Sequence, residues 1–188
     1  MSWSNLSTMK TRHSGFTLVE LLITVAIVAV LASLAVPSFR TMLVKRSVDA
    51  AADTLVSDLR FARSEAVKRS NRVIVCASSS GTSCTGSGAL WKDGWMIFVP
   101  SASNNVFTTG DEVVRVQDML PSIESIAPST GATLSQFVYQ PTGWAKAANQ
   151  TFIVTPIGDV PNGSTRLICV SSNGRAAIRS KGSSSCTS

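Results

Sequence analysis

The sequence predicts an α+β fold in which a long N-terminal α-helix packs on mostly antiparallel β-sheets. Three observations predict it. Residues 16–39 are apolar or uncharged apart from one carboxylate, Glu20. From Phe39 to Ala66 apolar residues recur along one side of a helical repeat while charges fill the others. Beyond Arg72, short apolar runs alternate with Gly-, Pro-, Asn- and Ser-rich turns, the pattern of strands.

The first segment sets the topology. Lys10 and Arg12 precede a run, Leu21 to Val36, that contains nothing more polar than Thr24 and Ser33. Such a run approaches the roughly 20 residues that cross about 30 Å of hydrocarbon. The basic flank holds the N-terminus on the cytoplasmic side, so the rest is translocated. A secretory signal peptide cleaved after Ala35, at Ser33-Leu34-Ala35, is one alternative and a plain single-pass anchor another. Neither uses Glu20. A carboxylate at the edge of a hydrocarbon layer costs roughly 2.5 to 3.5 kcal/mol, so it marks a functional residue awaiting a cation.

Gly15-Phe16-Thr17-Leu18-Val19-Glu20-Leu21-Leu22 resembles the type III signal of type IV pilins and type II secretion pseudopilins. The resemblance implies a basic leader, 1–15, that prepilin peptidase removes between Gly15 and Phe16, with N-methylation of Phe16. Glu20 is then the fifth residue of the mature chain, and Pro37 matches the proline of the first helix. It also implies a pilin-like fold and a single-pass inner-membrane protein with a periplasmic globular domain, incorporated into a pilus or pseudopilus. Cleavage frees an α-amino group at Phe16, and the Glu20 of a neighbouring subunit neutralises it. A buried pair of opposite charges is tolerated where a lone one is not, so pairing selects register.

Residues 16–38 therefore form a transmembrane or filament-core helix, and 39–71 continue it as an amphipathic helix. Phe39, Leu43, Val48, Ala52, Leu55, Leu59, Ala62 and Ala66 make its apolar stripe. Arg40, Lys45, Arg46, Asp49, Asp53, Asp58, Arg60, Arg63, Glu65 and Arg69 read as its other faces, with Lys45–Asp49 and Glu65–Arg69 spaced for i,i+4 pairs. Pro37 is expected to bend or loosen the junction.

The remaining 72–188 read as a β-rich domain. Strands are expected over 72–77, 90–99, 112–119, 133–140, 151–155, 166–170 and 176–179, with Asp93-Gly94 a hairpin turn or a bulge. The polar loop 101–111 is expected to be exposed. Asn104, Asn105 and Asp111 supply oxygens that suit calcium, but such loops are mostly turns, and no metal site is assigned. Four cysteines in an exported chain read as a disulfide framework. Three pairings are open; Cys76–Cys84 and Cys169–Cys186 are favoured because each brackets a Ser/Gly-rich loop. Zinc fits poorly, since there is no Cys-x-x-Cys and His13 is the one histidine, in the leader.

The stretches Asp58 to Ala66, Arg72 to Cys76 and Trp91 to Phe98 are similar to the GspH/FimT group, which includes FimT- and FimU-type minor pilins and the GspH-type pseudopilin. That resemblance implies a low-abundance subunit that primes or caps a filament, with other minor and major pilins or pseudopilins as partners. Trp91 and Trp95 read as core anchors. An alternative is a DNA-binding minor pilin for natural transformation. No acid follows Asp159, while Arg166, Arg175, Arg179 and Lys181 give that end +4. FimT-type pilins carry a Gly-Arg-x-Arg element, and Gly174-Arg175 with Arg179 departs from it in spacing. On a strand, residues four apart share a face, so Arg175 and Arg179 still meet phosphates together; a basic edge strand that resists aggregation is the plainer reading. A second alternative is a type II secretion pseudopilin. An enzyme is not expected, nor any cofactor: the chain after the leader has no histidine, phosphate loop or Gly-x-Ser-x-Gly.

Overall fold

A computed structural model describes residues 15–85, 91–129, 134–146, 150–158 and 164–180. Helix α1 runs Leu18–Arg69. It is followed by β1 (Val73–Ala77), a 3₁₀ turn (Trp91–Asp93), β2 (Trp95–Val99), β3 (Glu112–Gln117), β4 (Ile123–Pro128), β5 (Gln136–Tyr139), β6 (Ala145–Lys146), β7 (Gln150–Pro156), β8 (Arg166–Val170) and β9 (Ala176–Ser180). The chain divides into two compact units between Phe39 and Arg40.

Within the first unit every residue of 18–36 is exposed, as expected of a helix whose surroundings must come from outside the chain. Helical structure continues through Pro37. The helix ends at Ser70, whose φ of 50° is left-handed. There the Asn71 N–H reaches back to the Ala66 carbonyl at 3.3 Å, a Schellman-type closure.

The second unit joins residues 40–69 of the helix to two antiparallel sheets. One has five strands in the order β3-β2-β1-β5-β6, the other four in the order β4-β7-β8-β9. Val48, Ala51, Ala52, Leu55, Val56, Leu59, Ala62 and Ala66 form the buried helix stripe. Phe39 and Leu43, expected to lie on it, are exposed. Trp91 stacks at 5.7 Å on Phe137 of the first sheet and at 5.6 Å, edge-on, on Phe152 of the second. This large ring fills the seam where the sheets meet.

β1 and β2 are buried throughout. One face meets the helix; on the other, Ile74, Cys76, Met96, Phe98 and Val138 are covered by Cys84 and Phe107. The Cys76–Cys84 disulfide, as expected, ties the 78–85 loop over that face.

Several expectations change. Asp93-Gly94 is neither hairpin turn nor bulge: residues 91–93 are a 3₁₀ turn, and Gly94, at φ +117°, redirects the chain into β2. A Cβ there would lie 2.4 Å from the Gln117 carbonyl oxygen. β3 ends at Gln117, short of Met119, because the Leu120 N–H donates to the Lys92 carbonyl. β4 and β6 were not foreseen; β4 begins straight after Pro121-Ser122 and is itself part polar, and β6 has two residues. The 101–111 loop is largely exposed, and its oxygens are engaged: Asp111 accepts the Ser101 and Thr108 N–H groups, and Asn105 accepts from Arg72. Burial opposes ionisation of Asp111, but those N–H and O–H donors outweigh it and hold its carboxyl below the ordinary range.

Candidate functional site

At the N-terminal end, Gly15 and Phe16 precede the helix outside any regular element, with Phe16 87% exposed. Thr17 caps α1 and Glu20 stands three residues later. Glu20 accepts from the Thr17 N–H and O–H, both at 2.9 Å, and its own N–H donates to Thr17 Oγ1 at 3.2 Å. This is a reciprocal capping box, which satisfies orphan donors of the first turn. It fixes the Glu20 side chain at the start of the helix. Beyond it lies an 18-residue window of mean hydropathy 2.6, none of it buried, which is long and apolar enough to cross a membrane.

The charged faces of the helix are stitched to both sheets. Asp58 is buried; its Oδ2 accepts the Trp95 Nε1–H at 2.8 Å, and its Oδ1 meets Arg115 Nη1 of β3 at 2.5 Å. The Arg115 guanidinium lies 4.0 Å from the centre of the Phe61 ring. Glu65, also buried, pairs with Arg69 at 2.6 Å as its spacing predicted, and Arg69 reaches Glu112 of β3 at 2.7 Å. The Arg69 hydrogen bond holds the Glu65 carboxyl below its ordinary range. Asp49 is engaged by Arg166 of β8 at 2.5 Å, not by Lys45. Asp58 could not be told from the solvated charges by sequence, because the indole and guanidinium that meet it come from strands 37 and 57 residues away.

At the C-terminal end, β8 and β9 form a hairpin. The Ser171 N–H donates to the Arg175 carbonyl at 3.0 Å and the Gly174 N–H to Ser171 at 2.9 Å. Gly174 has φ +76°, and a Cβ on it would lie 2.2 Å from the Gly143 carbonyl oxygen. Only glycine fits that approach. Arg175 and Arg179 are both exposed, while Ala176 is buried and Ile178 packs against the core, so the expected alternation holds. Arg175 is joined by residues the sequence did not connect with it. Arg60 donates from Nε and Nη2 to the Ala176 carbonyl at 3.2 and 3.0 Å, and Arg63 from Nε to the Gly143 carbonyl at 3.0 Å. Together with Val67 and Lys68 they line a groove of about 670 Å³ between α1 and β9. Cys169 is disulfide-bonded; Cys186, its expected partner, and Lys181 lie outside the described residues. Among those residues no cluster of three or more His, Cys, Asp or Glu side chains is placed to hold a metal.

Residues 51–174 match the family model described as Type II transport protein GspH, and residues 10–36 match that of the prokaryotic N-terminal methylation motif. Among solved structures the chain is similar to the type IV minor pilin FimU of Pseudomonas aeruginosa, at 20% identity and a TM-score of 0.56 over 76% of this chain and 96% of that one. A second crystal form of FimU gives 0.53. The minor pseudopilin EpsH of the Vibrio cholerae Type 2 Secretion System is similar at 12% identity and a TM-score of 0.51, over 72% of this chain and 98% of that one. At these identities the likeness is one of fold. None of the curated proteins matches.

Proposed function

The chain belongs to the GspH family of minor pilins and pseudopilins, and from that membership we propose that it primes or caps a type IV pilus as a minor pilin. The observation that carries this reading is the capping box at Glu20 heading an apolar helical segment, residues 18–36, every residue of which is exposed. Such a helix needs a hydrophobic surrounding, first lipid and then other subunits' helices.

Prepilin peptidase cuts the exposed, non-helical link between Gly15 and Phe16 and methylates the new amine. Lys10 and Arg12 leave with the leader, which has until then kept the N-terminus on the cytoplasmic side of the inner membrane. On assembly, Glu20 trades part of its hydrogen bonding to Thr17 for the Phe16 ammonium of a neighbouring pilin. In a low-dielectric bundle this pairing offsets the desolvation of both charges and sets the axial offset between subunits.

Mass spectrometry of the membrane-extracted product tests the reading. The expected N-terminus is Phe16 carrying one methyl group; retention of residues 1–15, or loss of the whole apolar helix, would refute it. Glu20→Ala is expected to abolish incorporation into sheared filaments while the protein still accumulates in the membrane. Co-purification with secretion pseudopilins instead of pilins would assign it to a type II secretion machine.

The exposure of both Arg175 and Arg179 favours DNA contact as a second reading. It predicts sequence-independent affinity that falls with salt, with a shallower slope once both arginines are replaced. Retardation of duplex DNA that is unchanged in the double variant would remove this site.

A further inference from the structure

The groove beside β9 has the features of a peptide-binding edge. A second cavity of about 550 Å³, bordered by Asp53, Val56 and Ile178, adjoins the first, and the two share Arg60 and Ala177. A continuous trough thus follows β9 along the helix.

β9 is the last strand of its sheet. Because the Arg175 carbonyl bonds back to Ser171, antiparallel alternation turns the peptide groups of Ala176 and Ile178 away from β8. The Ala176 carbonyl takes the Arg60 guanidinium, and the Ile178 peptide groups face the trough. A strand edge that no further strand covers is a template for one.

Charge narrows the occupant. Arg60, Arg63 and Arg175 are in none of the ion pairs among the described residues. Arg60 and Arg63 are held by neutral carbonyls, which fix the guanidiniums without cancelling their charge. Lys68 adds a fourth cation, shared with Glu65 at 3.6 Å. Val67, Ala176 and Ala177 supply an apolar floor between them.

We propose that this groove takes an extended, acid-bearing segment of a partner polypeptide, which pairs with the edge of β9 and sets its carboxylates against Arg60, Arg63 and Arg175. Alternate side chains of an added strand point the same way, so one set meets the arginines and the other the apolar floor. A nucleic-acid backbone offers carbonyls and N–H groups in no such register, and its phosphates gain nothing from the open edge. The inference goes beyond the filament reading and rests on it only in taking the partner to be a neighbouring subunit; affinity for a peptide is measured without any filament.

The test is fluorescence anisotropy with the full chain in detergent micelles and a labelled decapeptide of alternating valine and glutamate. Saturable binding is expected, and none to the valine–lysine counterpart. The same acidic peptide N-methylated at alternate residues should lose binding, because strand pairing is blocked while its charge is kept. Arg63→Gln and Arg175→Gln should each weaken binding roughly fivefold to tenfold, in line with loss of a charge-assisted contact. Circular dichroism checks the fold; if Arg63→Gln unfolds, Arg175→Gln decides, since its exposed side chain anchors no strand. Equal affinity for the N-methylated peptide, an unchanged affinity in Arg175→Gln, or tighter binding of a 12-base-pair duplex with the same arginine dependence would each overturn the proposal.

Discussion

Removing Arg115 should destabilise the domain more than neutralising the carboxylate it serves. The Asp58 side chain is 4% exposed and that of Arg115 42% exposed, so the two partners face different solvents. Arg115→Ala leaves a buried carboxylate with one donor, the Trp95 indole, at a cost of about 3 to 4 kcal/mol. It also removes the stacking of the guanidinium on Phe61, worth about 0.5 to 1 kcal/mol. Asp58→Ala leaves the Trp95 N–H buried without an acceptor, about 2 kcal/mol, and forfeits the ion pair, but Arg115 can rehydrate; about 3 kcal/mol is expected. Asp58→Asn keeps an acceptor for the indole and should cost only about 1 kcal/mol. The diagnostic variant is the double one: Asp58→Asn with Arg115→Ala removes the stranded charge and should be more stable than Arg115→Ala alone. Urea denaturation of residues 40–188, followed by tryptophan fluorescence, measures all four. A loss below about 1 kcal/mol for Arg115→Ala, or a double variant whose losses simply add, would refute the claim that Arg115 compensates this buried side chain.

Three further expectations follow from the same geometry. Cys76→Ser should lower stability by about 2.5 kcal/mol, the loop-closure value for the eight-residue separation, and dithiothreitol should lower the Tm of the variant by less than that of the wild type, which loses this disulfide as well as the one at Cys169. Gly174→Ala forces a Cβ against the Gly143 carbonyl at a left-handed φ and should cost about 2 kcal/mol or more, read as a fall in Tm, whereas Gly158→Ala, at φ +87° with no atom within 4 Å, should cost less. Glu65 and Asp111 both have folded-state carboxyls below their ordinary values of 4.5 and 3.8, so their contribution is complete above those values and is lost as pH falls through the lower, folded ones. The denaturation midpoint should therefore be level from pH 8 to 5 and fall below about pH 4; a decline that begins near pH 6 would contradict this.

Sequence alone determined what is written in neighbouring residues: the lone acid at the head of an apolar run, the helix from its repeat, and β1, β2, β3, β5, β7, β8 and β9 from apolar runs between turns. Those signals are local, because a helix or strand is chosen by periods of 3.6 or 2 over a dozen residues or fewer. Tertiary structure decided which charges are surface and which are core. Asp58 and Asp53 look alike in the chain; one meets an indole and a guanidinium from distant strands, and the other stays at the groove. β4 and β6 were illegible for the same reason, since their few part-polar residues become strands only through the hydrogen-bonding edges of β7 and β5. The arginine groove exists only where Arg60 of the helix meets the β8–β9 hairpin 116 residues later and Arg63 meets the Gly143 carbonyl 80 residues later. No local pattern encodes that meeting; packing of the helix stripe against two sheets brings it about.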